Sequence, residues 1–183
     1  SLNVFHKYTD RVKIANIAQV VNVLQSMILT DQEGTGHMVL TPTYHIFEMY
    51  TPFQEATYLP VDLESEVVQC SKEYFKEKAN TSDNTTRPCP LLSASAAKTT
   101  DGSLVLAITN VSLDKDQTID FNIEGFAAKT ATGRILTSKK ADDFNDFNNP
   151  NVVAPKEFKD AKLKKGVLTV KVPAKSVIVL NIK

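Results

Sequence analysis

Val167-Leu-Thr-Val-Lys-Val172, then Pro173-Ala-Lys175, then Ser176-Val-Ile-Val-Leu-Asn-Ile182 is the stretch whose reading decides the fold. Its first half alternates, with Leu168, Val170 and Val172 on one side, as a strand with one buried face requires. Its second half is apolar nearly throughout and reads as a central strand. Lys165-Gly166 stands immediately before the pair as a hairpin signal. Working outward, Thr118–Glu124 alternates with Ile119, Phe121 and Ile123 on one side. Ser103–Thr109 places Leu104, Leu106 and Ile108 on one face, with Val105 and Ala107 on the other. Asp101-Gly102 introduces that strand as a second turn signal. Weaker strand patterns run over Leu63–Cys70, Leu91–Lys98 and Thr130–Thr137. Six to eight short strands with no helix between them predict a mainly β chain, an antiparallel sandwich of jelly-roll type.

Two long connections interrupt the strands. Glu73–Pro90, rich in Asn and Thr, reads as a mobile loop. Lys139–Lys165 carries Asp142-Asp-Phe-Asn-Asp-Phe-Asn-Asn-Pro150, and reads as an ordered excursion pinned by Phe144 or Phe147.

The first fifty residues have another texture. Val12–Leu29 is almost continuously apolar, broken by Lys13, Asn16, Gln19, Asn22 and Gln25. At helical spacing Ile14, Ile17, Ala18, Val21, Leu24 and Ile28 share a face, with Gln19 and Asn22 solvated. Val12–Val21 fits a buried parallel strand equally well, because strands covered on both faces lose their alternation. Periodicity does not separate the two. Thr41-Pro42 then supplies an N-cap hydroxyl and a first-turn proline for a helix of about three turns, with Tyr44 and Phe47, joined by Ile46 and Tyr50, on its apolar face and Pro52 limiting it.

The chain has 183 residues, with 21 Lys+Arg balancing 21 Asp+Glu, so it has no long-range field to attract nucleic acid or an anionic membrane surface. Its longest apolar run falls far short of the roughly 18–20 residues of a membrane span. The start Ser1-Leu2-Asn3-Val4 carries neither an initiator Met nor a signal-peptide pattern, and reads as cut from something longer.

Little in the sequence carries chemistry. His6, His37 and His45 are scattered without metal-ligand spacing, which argues against zinc. The spacing of Cys70 and Cys89 allows a disulfide in an exported protein, but two separate thiols is the simpler reading. The tripeptides starting at Asn80, Asn84 and Asn110 match glycosylation acceptors, a pattern that Asn/Thr/Ser-rich turns also produce by chance. The carboxylate pairs Asp142/Asp143, Glu64/Glu66 and Asp114/Asp116 read as solvated rather than as an acid–base couple. There is no Gly-x-Ser-x-Gly elbow and no glycine-rich phosphate loop. On these grounds the β region is an accessory or binding module.

The segment from His6-Lys-Tyr-Thr-Asp-Arg to Ala18-Gln-Val-Val-Asn22 resembles the late barrel region of family 51 glycoside hydrolases, the α-L-arabinofuranosidases. Thr41-Pro-Thr-Tyr-His-Ile-Phe-Glu-Met-Tyr50 is similar to that family's final barrel helix. Gly133-Arg-Ile-Leu-Thr137, with Asn149-Pro-Asn-Val152 and Val153-Ala-Pro155, is similar to a strand and long excursion of its C-terminal sandwich. The resemblance runs through nearly the whole chain in the right order. It implies that residues 1–52 are the remnant of a (β/α)8 barrel, its last strand at about Val12–Gln19 and its last helix, and that 53–183 form the accessory sandwich.

By the same resemblance the parent is a retaining glycosidase releasing terminal arabinofuranosyl groups from arabinan and arabinoxylan, with no cofactor. Its two glutamates belong to earlier barrel strands, which leaves this chain without a catalytic residue. Gln19 matches the glutamine of the Ala-Gln-x-Val-Asn motif and would hydrogen-bond the arabinose ring; no role comes over to Asn22. A carbohydrate-binding module is the alternative, disfavoured because the chain has no Trp and no Tyr after Tyr74. A structural or oligomerisation module is a third, since orphaned apolar strands invite association and a homo-oligomeric parent. Residues 1–50 are then expected to collapse onto the sandwich, with Val12–Leu29 turning helical, or to pair with a second copy.

Overall fold

The computed structural model describes residues 1–18, 20–24, 26–31, 33–70 and 87–183, and of Cys70 and Arg87 the backbone only. Most of the Glu73–Pro90 connection and the acceptor sites at Asn80 and Asn84 therefore lie outside the described residues.

The alternating segments become strands close to where expected, while Thr57–Leu59, Lys156–Phe158 and Ala161–Lys164 are strands the pattern does not reveal, the last two inside the Lys139–Lys165 connection. β3 (Thr57–Leu59), β6 (Leu92–Lys98), β7 (Leu104–Asn110), β9 (Ala131–Thr137), β10 (Lys156–Phe158) and β13 (Ser176–Ile182) form one sheet in the order β10-β9-β13-β7-β6-β3. β8 (Gln117–Asn122), β11 (Ala161–Lys164) and β12 (Val167–Val172) form a second sheet, ordered β11-β12-β8. Neighbouring strands within both sheets are antiparallel. β13 lies between β7 and β9, and its sequence is apolar on both faces because both are covered, Ile178, Leu180 and Ile182 in one apolar cluster and Val177 and Val179 in another.

The period-2 alternation of β7 sorts its residues into two cores. Leu104, Leu106 and Ile108 face the small sheet, where they meet Leu168, Val170 and Val172 of β12 and Ile178 and Leu180 of β13. Val105 and Ala107 face the other way and join a second cluster with Met49, Tyr50, Leu136, Val153 and Val179. Each such fully buried aliphatic side chain contributes about 1.5–3 kcal/mol relative to exposure. Asn110, 1% exposed, ties the two sheets by donating from Nδ2 to the Val172 carbonyl at 3.1 Å and the Lys115 carbonyl at 2.9 Å. Its amide is thus inside the protein, and the glycosylation match at Asn110-Val111-Ser112 is not an accessible acceptor.

Lys165 (φ 51°) and Gly166 (φ 80°) are both left-handed, as a two-residue type I′ hairpin requires, and they join β11 to β12. Gly133 has a different reason. A Cβ there would overlap the Val179 carbonyl oxygen and lie 2.6 Å from Leu180 Cδ2, so only glycine lets β9 pair with β13 at this point.

The second core is roofed by the N-terminal segment. α1 (Leu2–Lys7) packs on β6, and α2 (Pro42–Met49) leads into a 3-10 turn at Thr51–Phe53. Thr41 caps α2 as expected, its Oγ1 accepting from Tyr44 N at 3.4 Å. The helix is two turns long rather than three, ending before Pro52. Its buried residues are His45 and Met49, with Ile46 packed against the second core. Of the expected face, Tyr50 and Ile46 join the second core, whereas Tyr44 and Phe47 are only half-buried.

Val12–Leu29 departs from both expectations. Residues 12–18 form neither helix nor strand, and Ile14 is 76% exposed. A buried parallel strand needs a hydrogen-bonded neighbour on each edge, and among the described residues the segment's only parallel pairing is one isolated bridge, Val21 to Ile28. The helix does not form because the segment turns back instead, ending in β1 (Ile28–Thr30), which pairs with β2 (Met38–Leu40). Cys89 likewise sits in a strand rather than a loop. β4 (Val67–Cys70) and β5 (Arg87–Pro90) form a separate ribbon in which Cys89 is opposite Val68, and its thiol is free.

Candidate functional site

Gln19, the one residue to which the resemblance gives a substrate role, lies outside the described residues. What surrounds it in the chain is built as follows. α1 is locked to the sandwich by a buried amide: Asn3 Nδ2 donates to the Ser93 carbonyl at 3.1 Å, while its Oδ1 accepts from the Tyr50 hydroxyl at 2.7 Å and from Ser95 Oγ at 3.0 Å. His6, one turn on, places Nδ1 2.9 Å from Ser95 Oγ and stacks on Phe53 with ring centroids 4.3 Å apart. Burial holds the His6 imidazole below its ordinary pKa and pushes the Tyr50 hydroxyl up to about 12.

Beyond α1 the chain doubles back through Val20–Thr30. The Val20 carbonyl accepts from Met27 N at 2.9 Å and Ile28 N at 3.1 Å. Asn22 takes a left-handed backbone (φ 55°), a conformation its short amide tolerates, and closes the turn through Thr30. Its Oδ1 accepts from Thr30 N and its Nδ2 donates to Thr30 Oγ1, both at 2.7 Å. Thr41 then clamps this turn to α2, its hydroxyl donating to the Ser26 carbonyl at 2.7 Å and its N–H to the Met27 carbonyl at 3.0 Å. Asp31 organises the next loop by accepting from the Thr35 hydroxyl, from Thr35 N at 3.0 Å and from His37 N at 2.9 Å. The Thr35 hydroxyl is the main reason its carboxyl lies below the usual range.

These turns and the excursion between β9 and β10 enclose an open groove of about 550 Å³, with Asn22, Leu29, Thr30, Asp31 and Glu33 on one side and Phe147 on the other. The excursion is ordered, as expected, but its pin is not an aromatic. Phe144 and Phe147 are 65% and 46% exposed, whereas Asn145 is 3% exposed. Asn145 Nδ2 donates to the Leu40 and Val153 carbonyls at 2.8 and 2.9 Å, and its Oδ1 accepts from Val153 N at 2.8 Å.

Among the described residues the carboxylates lining this groove are Asp31 and Glu33, neighbours on one loop, and the pairs singled out in the sequence lie elsewhere. Glu66 pairs with Lys115 at 2.6 Å on the surface, Asp116 caps Ala174 N at 3.0 Å, and Asp143 accepts from Ser138 and from Lys140 N. Asp143, Asp116 and Glu66 are all held below the ordinary carboxyl range, by the Ser138 hydroxyl, the Ala174 N–H and the Lys115 ammonium respectively. They are therefore charged acceptors in turns and surface pairs, and no raised carboxyl is present among them to donate a proton near neutral pH. Among the described residues no group of three or more His, Cys, Asp or Glu is placed to hold a metal ion, and no helix is long and apolar enough to cross a membrane.

The described residues thus form a two-sheet antiparallel β-sandwich module roofed by a short N-terminal helical segment. The relatives say which one. The family of α-L-arabinofuranosidase C-terminal domains matches residues 1–176, and the chain belongs to that family. It is 49% identical over all 183 residues to an intracellular exo-α-L-arabinofuranosidase of Bacteroides ovatus, of which it spans 32%. Among solved structures it is similar to the family 51 arabinofuranosidase of Xanthomonas axonopodis pv. citri, with 36% identity and a TM-score of 0.85 over 99% of this chain and 33% of that one. It is also similar to an α-L-arabinofuranosidase of Thermotoga maritima in complex with arabinose, with 25% identity and a TM-score of 0.77 over 98% of this chain and 36% of that one. The chain thus spans about a third of the length of the relatives it matches.

Proposed function

We propose that this chain is the C-terminal third of a retaining exo-acting α-L-arabinofuranosidase that removes terminal arabinofuranosyl groups from arabinan or arabinoxylan. The observation that carries it is the 49% identity, over all 183 residues, to the Bacteroides ovatus enzyme. In this reading residues 1–52 complete a catalytic barrel and 53–183 are its accessory sandwich. The nucleophile and the acid/base are glutamates of the part of the parent that precedes Ser1. Gln19 hydrogen-bonds the arabinose ring; an amide can orient a hydroxyl but cannot ionise, so it positions the sugar and transfers no proton. The closed turn Asn22–Thr30, clamped by Thr41, supports that position by fixing the chain three residues after Gln19. Association of the parent into a homo-oligomer belongs to the same proposal.

The test compares the complete parental protein with the 183-residue chain on 4-nitrophenyl α-L-arabinofuranoside. The parent is expected to release 4-nitrophenol, and the chain alone to release none above a heat-killed control. Turnover by the isolated chain, or an inactive parent, would overturn the reading.

A further inference from the structure

Phe147 is exposed although it belongs to a hydrogen-bonded frame. Its ring is 46% exposed, yet it sits on a turn closed by Asn149 N donating to Asp146 Oδ1 at 2.6 Å and by Asp146 N donating to the Asn149 carbonyl at 3.2 Å. One residue before that turn, Asn145 is buried and bonded to backbone on both sides of it. A rigid frame that leaves an aromatic face half in water does not serve the core.

The ring forms one wall of the groove whose opposite wall is the turn following Gln19 in the chain. At about 550 Å³ this groove is within the range of about 300–1,000 Å³ typical of small-molecule sites. Asn22 and Asp31 spend their polar atoms on their own turns, but Thr30 Oγ1 only accepts from Asn22 and so keeps its own proton to donate. Glu33 is exposed beside it. An aromatic ring that shares its groove with a hydroxyl donor and a carboxylate is suited to a sugar ring, which offers C–H groups on a face and hydroxyls at its edge. In sequence the groove's lining begins at Asn22, three residues beyond Gln19, which is what ties it to the function proposed above.

We propose, resting on the function assigned above, that Phe147 is a specificity-determining residue of the sandwich. It would stack on the sugar unit to which the departing arabinosyl group is attached. The sandwich would then take part in substrate choice, although the chemistry belongs to the barrel.

The test uses the complete parental enzyme and its Phe147→Ala, Phe147→Tyr and Phe147→Leu variants. Two quantities are read: kcat/KM on α-1,5-linked arabinotriose, and the inhibition constant of free L-arabinose, which fills the arabinosyl position alone. Loss of one stacked ring is expected to lower kcat/KM of Phe147→Ala about 10-fold with the arabinose constant unchanged. Phe147→Tyr is expected to retain the activity and Phe147→Leu to lose it. Unchanged kcat/KM in Phe147→Ala, full activity in Phe147→Leu, or equal losses in both quantities with a lower melting temperature would overturn the assignment. A wild-type enzyme with no arabinofuranosidase activity would instead overturn the functional reading beneath it.

Discussion

The Tyr50 hydroxyl donates to Asn3 Oδ1 at 2.7 Å, across 47 positions of chain, and both residues are buried against the outer face of the large sheet. This bond joins the end of α2 to α1, and Asn3 carries it on to Ser93 and Ser95 of β6. The N-terminal segment is therefore not an appendage, because its polar atoms complete the same buried network as those of the sandwich. Tyr50 also belongs to the second core with Val105, Ala107 and Val179. The sheet consequently has two covered faces, one against the small sheet and one against the helical roof.

Removing that hydroxyl tests the roof. Tyr50→Phe is expected to cost about 1–2 kcal/mol, since Asn3 Oδ1 loses one of two donors in a buried place. Urea unfolding of the chain reads it as a lower midpoint at unchanged slope. The pH dependence follows from the raised pKa: stability from the neutral phenol is full below about 10 and is lost as pH rises through about 12. Tyr50→Phe is expected to flatten the alkaline limb of stability against pH.

On the acid side the roof carries two histidines held below their ordinary value of 6.5, His6 by burial and His45 by burial against the opposing pull of Glu48. A lowered histidine means that the unfolded chain binds more protons between the two pKa values. Their contribution is then full above about 6.5 and is lost as pH falls through the folded-state values. His6→Gln, which keeps a partner for Ser95 but does not titrate, is expected to weaken the fall in melting temperature between pH 7 and 5. Adding His45→Gln should weaken it further; an unchanged slope in the double variant would contradict the assignment.

The sandwich is legible in the sequence because its signal is periodic. The alternation of Leu104, Leu106 and Ile108 with Val105 and Ala107 by itself separates two cores, and Lys165-Gly166 marks the hairpin. What escapes lacks a period. α1 has six residues, under two turns, and is held by the amide of Asn3, a residue type with no apolar pattern to betray burial. The excursion invites an aromatic pin, but an asparagine saturating three backbone groups is the better one, since a buried loop must first satisfy its peptide groups. A role for Gln19 is suggested only by resemblance, because a single amide in an apolar run has a solvated helix face as the simpler explanation.

The pinning role of Asn145 is checkable. Asn145→Ala removes three hydrogen bonds and strands the Leu40 and Val153 carbonyls and Val153 N, for an expected cost of about 2–4 kcal/mol. Limited proteolysis should then cut between residues 139 and 156 while β13 and β7 stay protected. Phe144→Ala, at a 65% exposed ring, is expected to leave both stability and cleavage unchanged.

Gly133 tests how tightly β9 and β13 are paired. The methyl of Gly133→Ala would enter the space of the Val179 carbonyl, and a backbone atom in a central strand cannot swing aside as a side chain would. Relief requires β9 to shift away from β13, which stretches the register Gly133↔Leu180 and loosens the packing of Ile135 and Leu136 on either core. The expected cost is about 2–3 kcal/mol, at the upper end of ordinary overpacking, with amide exchange quickened along β9 and β10 before the rest of the sheet. Gly102→Ala is the control, because open space surrounds it and only its left-handed φ of 84° opposes the change. It should cost less and leave exchange in β9 as it was.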